Sequence, residues 1–192
     1  MGTIEDVFKK FPVLETDRLI LRDIDIEDYS DIYDIYSDVD VLKYNGIDTL
    51  KSLQEAIIYT KRIKEGYSVG FFLRWAVLLK DTEKMIGTIG IHHIESWNYK
   101  LEIGYILNKD YWRQGYSYEA LCEIIRYLFD DLNIFRIEAS IHPDNRPSIR
   151  LAEKLGFVLE GKKRKSAFNF RTEGFEDRLL FSLLRCDERR YG

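Results

Sequence analysis

Short runs in which bulky apolar residues alternate with polar ones are interleaved along this chain with longer runs in which they recur every three or four positions. These are the signatures of strands and of amphipathic helices. Leu14 to Arg22 reads as the first strand, with Leu19 and Leu21 on one side. Asp25 and Asp28 have the spacing of a capping box, and Tyr29, Ile32, Tyr33, Tyr36 and Val39 follow at helical spacing. A second helix is predicted from Leu50 to Glu65, stopped by Gly66. Phe71 to Leu79 and Met85 to His92 form a hairpin around Lys80 to Lys84, with Gly87 and Gly90 marking close packing or a bulge. Leu101, Ile103, Tyr105 and Leu107 define the next strand. The helix opened by Gln114-Gly115-Tyr116-Ser117 carries Ala120, Leu121, Ile124, Ile125, Leu128, Phe129 and Leu132 on one face. Ile134 to Ile141 follows a crossover helix and is therefore parallel to the strand Leu101 to Leu107. A helix capped by Asp144 or Asn145, with Pro147 in its first turn, ends at Gly156, and Phe157 to Gly161 and Leu179 to Leu184 supply further strands. Antiparallel strands first and crossovers later specify an α+β fold with a mixed sheet.

At 192 residues, 45% hydrophobic, the chain can bury one sizeable core, so a single domain over 1–192 is expected, with 1–13 as a lead-in and 187–192 as a mobile tail. A net charge of -4 argues against a nucleic-acid backbone as the main partner, and direct DNA binding is not expected. No run approaches the length of a membrane span or a signal peptide, and Cys122 and Cys186 make neither a disulfide framework nor a metal-ligand spacing. A cytoplasmic protein is the expectation, with a homodimer left open.

Candidate chemistry concentrates at Leu101 to Ala120. A strand running into a Gly-containing helix start offers unpartnered amides at the positive end of a helix, where a phosphate can be held, and Gly115 lets it approach. Asp23 to Asp40 carries acids and no Lys or Arg, which reads either as a solvated face or as a patch that steers a cationic substrate. His92 and His93 have no third ligand at metal spacing, so no metal is expected, and as adjacent strand residues at most one can face a given cleft. Lys162-Lys163-Arg164-Lys165 reads as a solvated strand edge or as a patch for phosphates or RNA.

The order LETDRLILRDIDIED, YWRQGYSYEA, NRPSIRLAEKLGF and GFVLEG resembles the Gcn5-related N-acetyltransferases, and within them the RimJ/RimL-like branch that acetylates ribosomal-protein alanine. The resemblance runs from Leu14 to about Glu188 and implies a mostly antiparallel sheet of about seven strands with two splayed parallel strands at its centre. The family's phosphate loop keeps its central Gly115 here and departs at Trp112 and Ser117. The resemblance implies acetyl-CoA as co-substrate, its pyrophosphate on the amides from Arg113 through Gln114, Gly115 and Tyr116 to Ser117 and its pantetheine along Tyr105, Ile106 and Leu107. Asn145 would bind the cofactor or the substrate. Transfer to an amine needs a proton acceptor, for which Glu102 and Glu160 are candidates, an oxyanion donor near Ile103 to Tyr105, and Ser148 beside the departing sulfur. The acceptor would be a protein N-terminal amine or a small amine such as a polyamine or aminoglycoside. A non-catalytic acyl-CoA sensor is the alternative.

Overall fold

The computed structural model describes residues 2–187, and its framework is one eight-stranded sheet in the order β1-β2-β3-β4-β5-β6-β8-β7. The strands are β1 (Leu14–Glu15), β2 (Leu19–Asp23), β3 (Leu73–Leu79), β4 (Met85–Glu95), β5 (Lys100–Leu107), β6 (Arg136–Ile141), β7 (Val158–Asn169) and β8 (Gly174–Leu184). The helices are α1 (Tyr29–Tyr36), α2 (Leu53–Ser68), α3 (Tyr116–Arg126), which continues into a π turn over Tyr127–Asp131, and α4 (Arg146–Lys154). β1 to β5 pair antiparallel, and β8 inserts antiparallel between β6 and β7.

β5 and β6 are parallel, as the crossover predicts, but pair only from Lys100↔Arg136 to Glu102↔Glu138. β5 nevertheless stays on β4 as far as Gly87↔Leu107. Beyond Glu102 the edge of β5 that faces β6 therefore has no strand partner, and the sheet opens there.

Side-chain alternation along β5 splits the core in two. Leu101, Ile103 and Leu107 point to the face covered by α3 and α4, with Leu121, Ile124, Ile125 and Ala152. Ile106 points to the face covered by α1 and α2, with Ile32, Ile35, Ala56 and Ile63. The lead-in docks on the first face: Ile4 and Val7 are buried on the one-turn helix Ile4–Phe8, and Tyr67 Oη donates to the Val7 carbonyl at 2.8 Å. Of the tail, Asp187 accepts from the Leu184 amide, and residues 188–192 lie outside the described residues.

Several boundaries differ from the sequence reading for local reasons. α1 stops at Tyr36, leaving Val39 exposed, because the chain turns away to bring Leu42 into the core. α2 starts later, capped by Ser52, and runs through Gly66, whose bare Cα is needed for packing: a Cβ there would stand 2.4 Å from the Phe72 ring. Val158 to Gly161 and the basic run lie in one long strand, β7, because β8 pairs with it from Val158↔Ser182 to Asn169↔Gly174, with irregularities after Leu159 and Lys163. Lys162 to Lys165 are exposed on this edge strand, with Lys162 paired to Asp177. The acids of Asp23 to Asp40 are largely answered by cations: Asp28 by the neighbouring Arg22, and Asp23 by Lys64, Asp31 and Asp34 by Lys84 and Asp38 by Lys109, all distant in sequence. That run fastens α1 and its flanking loops to the sheet.

Candidate active site

The opening between β5 and β6 is a cavity of about 130 Å³, partly open to solvent, lined from both faces of the sheet. Gly104 and Tyr105 of β5, Asn145 and Ser148 at the start of α4, and Tyr44 and Asn45 of the α1–α2 loop meet there. The β7–β8 hairpin borders the same loop: the Phe170 amide donates to the Gly46 carbonyl at 2.9 Å.

On the α3 side the phosphate loop has an unusual backbone. Arg113 has φ 61° and Gly115, the N-cap of α3, has φ 86° with no side-chain cap. Among the described residues, none of the backbone amides from Arg113 to Tyr118 donates to a protein acceptor. Such a row of unpartnered N–H groups at a helix start is a concave anion site. The loop is braced by residues that the sequence reading did not single out. Arg18 lies over the Tyr116 ring at 4.3 Å, donates to the Gln114 carbonyl at 3.1 Å and pairs with Glu119 on α3 at 2.6 Å. Thr16 also donates to Glu119, so the Thr-Asp-Arg-Leu turn before β2 locks onto α3. Its signal was the LETDRLILR segment, whose contact lies about a hundred residues away along the chain. Trp112, a departure from the family loop, donates its indole N–H to the Leu107 carbonyl at 2.8 Å and so fixes the turn after β5.

Tyr105 Oη and Ser148 Oγ are hydrogen-bonded at 2.9 Å beside the cavity. Burial raises the Tyr105 phenol above its ordinary value, so it stays protonated near neutrality. Asn145 caps α4 through its side-chain oxygen, which accepts from the Ser148 amide at 3.3 Å, while also lining the cavity. Ile106 and Leu107 are buried in opposite faces of the sheet, so their backbone rather than their side chains is what the open edge offers.

Glu102 stands at the last paired position of β5, at the vertex of the opening. It points to the face opposite Tyr105 and Ser148. Its carboxylate contacts His93 Nδ1 at 3.1 Å and His92 Nε2 at 3.6 Å. Both imidazoles reach it, contrary to the expectation that adjacent strand residues diverge, because His93 adopts φ 49° where the β4–β5 register shifts. Glu102 is also the third donor that sequence spacing hid: the three ligand atoms lie within 4.8 Å of one another, close enough to chelate a cation. Burial opposes ionisation of Glu102, yet the hydrogen bonds from His92 and His93 outweigh it and hold the carboxyl down at about 2.

Glu160 is placed elsewhere. On the outer strand β7 it accepts from Arg136 at 2.8 and 2.5 Å and from Ser182 at 2.6 Å, and the Arg136 guanidinium and the Ser182 hydroxyl hold its carboxyl at about 2. Neither glutamate lines the cavity, but Glu102 adjoins Ile103 and Gly104, which do, and Glu160 adjoins no lining residue. Its geometry is that of a structural ion pair, with both carboxylate oxygens occupied by Arg136 and Ser182.

The model of the acetyltransferase (GNAT) domain matches residues 18–158. The chain belongs to that family and is an N-acetyltransferase of the GNAT type. It is 37% identical over 155 residues to the uncharacterized N-acetyltransferase YoaA of Bacillus subtilis, covering 81% of this chain and 88% of the relative. Its fold is shared with RimL, a ribosomal L7/L12 alpha-N-protein acetyltransferase, at a TM-score of 0.79 and 18% identity over 90% of this chain and 94% of the other. The microcin C7 self-immunity acetyltransferase MccE, solved in complex with acetyl-CoA and AMP, gives a TM-score of 0.77 at 18% identity over 88% of this chain and 93% of the other. Among the described residues, no helix is long and apolar enough to cross a membrane.

Proposed function

We propose that the protein transfers an acetyl group from acetyl-CoA directly to a primary amine that enters from the α1–α2 face, within the RimJ/RimL-like branch of the family. The observation that carries this reading is the opening between β5 and β6. It exposes the free edge of β5 at Gly104 and Tyr105 to Asn145 and Ser148, with Glu102 at the last paired position of the same strand. Amides from Arg113 to Tyr118 hold the pyrophosphate, and the free edge of β5 at Tyr105 to Leu107 accepts the pantetheine as an added strand. Acetyl-CoA supplies the activated thioester carbon.

An ammonium cannot attack, so the amine must lose a proton. A carboxylate held near 2 is too weak a base to keep that proton, and Glu102 serves by attracting the ammonium and orienting His92, whose imidazole or a bridging water passes the proton outward. The backbone amide of a residue from Ile103 to Tyr105, freed from strand pairing, stabilises the oxygen that gains charge as the amine adds. Ser148, backed by the protonated Tyr105, donates to the departing sulfur. On this reading Glu102→Gln and Ser148→Ala each lower kcat for amine-dependent thiol release by about 10² or more, within the range of one general acid or base, while calorimetry shows acetyl-CoA affinity nearly unchanged. Unaltered thiol release in both variants would refute these roles.

A further inference from the structure

His92 and His93 of β4 and Glu102 of β5 bring three donor groups together. Glu102 Oε2 lies 3.1 Å from His93 Nδ1 and Oε1 lies 3.6 Å from His92 Nε2, with one ligand atom of each residue within 4.8 Å of the others. A regular strand does not do this, because neighbouring side chains leave on opposite faces. The device is a bulge. Between the pairs His92↔Glu102 and Glu95↔Lys100, β4 has two residues, His93 and Ile94, where β5 has one, Leu101. His93 takes up the extra length at φ 49°, a left-handed conformation disfavoured for most residues with a Cβ. The strained residue is thus the one that carries the second imidazole round to Glu102.

The donor chemistry selects the ion. Two imidazole nitrogens and a carboxylate oxygen suit zinc and its neighbours in the first transition row, whereas Mg²⁺ and Ca²⁺ take oxygen donors. A tetrahedral zinc with bonds of about 2.0–2.1 Å has ligand atoms roughly 3.3 Å apart, and the two imidazole–carboxylate distances bracket that value. The His93 side chain is 75% exposed and that of Glu102 only 14%, so the set is anchored on the sheet and open to an ion from solvent. A second cavity, of about 460 Å³, borders His92 and His93 and has room for the water that completes a three-donor site.

We infer that His92, His93 and Glu102 are a binding site for a divalent transition ion of the zinc class, and that an ion bound there closes the acceptor end of the active site. The second half rests on the N-acetyl transfer reading, in which Glu102 attracts the ammonium and His92 passes its proton. Once coordinated, the carboxylate charge is neutralised and the imidazole lone pair is taken. His92 also stands at the opening, since a Cβ on Gly104 would lie 3.6 Å from its Cε1. The same contacts would serve a hydrogen-bond network that only orients Glu102, and the two roles part when His93 is replaced by a residue that bonds to Glu102 without ligating metal.

The test titrates Zn²⁺ into ion-stripped, untagged protein by calorimetry and repeats the titration with Mg²⁺ and with Co²⁺, whose visible absorption reports the donor atoms. His93→Asn is the diagnostic variant, because asparagine tolerates positive φ and its amide donates to a carboxylate, but it does not replace an imidazole on zinc. His142→Ala, at the remaining histidine, is the control, and melting temperature and acetyl-CoA affinity are recorded for each. The expected result is one Zn²⁺ per chain, bound about tenfold or more weakly by His93→Asn, at least the loss that even an outer-shell partner causes, and unchanged in His142→Ala. Acetyl-CoA consumption is followed by chromatography, since free CoA thiol binds zinc, with an alanine-terminated peptide, a polyamine and an aminoglycoside as acceptors. Zn²⁺ is expected to suppress it in the wild type, EDTA to restore it, and His93→Asn to keep its own ion-free rate. Equal Zn²⁺ affinity in wild type and His93→Asn, loss of binding in His142→Ala, Mg²⁺ binding as tight as Zn²⁺, or a cobalt spectrum of thiolate ligation by the exposed Cys186 would overturn the site. Zinc bound there with acetyl-CoA consumption unaffected would overturn the closing of the acceptor end. No consumption by the ion-free protein with any amine, alongside zinc binding that is lost in His93→Asn, would refute acetyl transfer and leave the metal site standing.

Discussion

Two glutamates with carboxyls held near 2 do different work, and the difference lies in what surrounds them. Glu102 is oriented by two imidazoles at the vertex of an open cleft, whereas Glu160 is gripped by a guanidinium and a hydroxyl on an outer strand. Neither role could be told from sequence, because both residues follow apolar strand positions and the partners of Glu160 lie more than twenty residues away. Because the folded-state value for Glu160 is depressed below 4.5, its contribution to stability is present above about pH 4.5 and is lost as pH falls toward 2. Glu160→Gln is therefore expected to leave kcat/KM unchanged. It should lower the melting temperature slightly at pH 7, by the equivalent of less than about 1 kcal/mol for a partly exposed pair, with the gap to wild type closing under acid melting. A large loss of turnover in a folded Glu160→Gln would return it to the site. Arg18 is the residue that the sequence hid most completely, since its contact with the Gln114 carbonyl exists only after β2 and α3 are brought together.

The hydrophobic periodicity located most strands and all four helices, because each buries one face and shows it in the spacing. What it could not show were features set by contacts between elements. Gly66 looks like a breaker but is a packing position, and Gly87, which the sequence marks as close packing or a bulge, is held tightly by its neighbours: a Cβ on it would stand 2.5 Å from the Ile106 carbonyl, on the strand that forms one wall of the opening. Gly87→Ala should push β5 from β4 at a cost of about 1–3 kcal/mol, read as a drop of roughly 2–4 °C in Tm per kcal/mol, and should weaken acetyl-CoA binding as well. Gly115 acts through conformation. The Gly-containing helix start was readable as a phosphate turn, its positive φ only from the fold, and Gly115→Val is expected to weaken acetyl-CoA about tenfold or more through backbone strain. Calorimetry showing wild-type affinity would exclude the loop as the pyrophosphate site.

Across the whole molecule the sheet is what makes the site, by parting between β5 and β6, the one parallel pair among the described residues, so that one cavity is reached from both faces. The sheet's mixed character was legible from the crossover, and the length of the β7–β8 hairpin was not, because a basic run carries no strand periodicity. The acidic run from Asp23 to Asp40 shows how charge in sequence misleads: its partners come from β2, the β3–β4 turn, α2 and the turn after β5. Asp31→Asn, Asp34→Asn and Asp38→Asn combined should lower Tm, each surface pair being worth about 0.2–1 kcal/mol, and leave the acceptor KM unchanged. A salt-sensitive rise in that KM would restore the steering role. The most direct test of the account is acceptor-dependent release of CoA from acetyl-CoA across a panel of free amino acids, basic peptides, polyamines and aminoglycosides, with the acetylated product identified by mass spectrometry. The account predicts release that rises with amine concentration, an N-acetylated product, and suppression by Glu102→Gln. Tight acetyl-CoA binding with no acceptor-dependent release for any amine would contradict it.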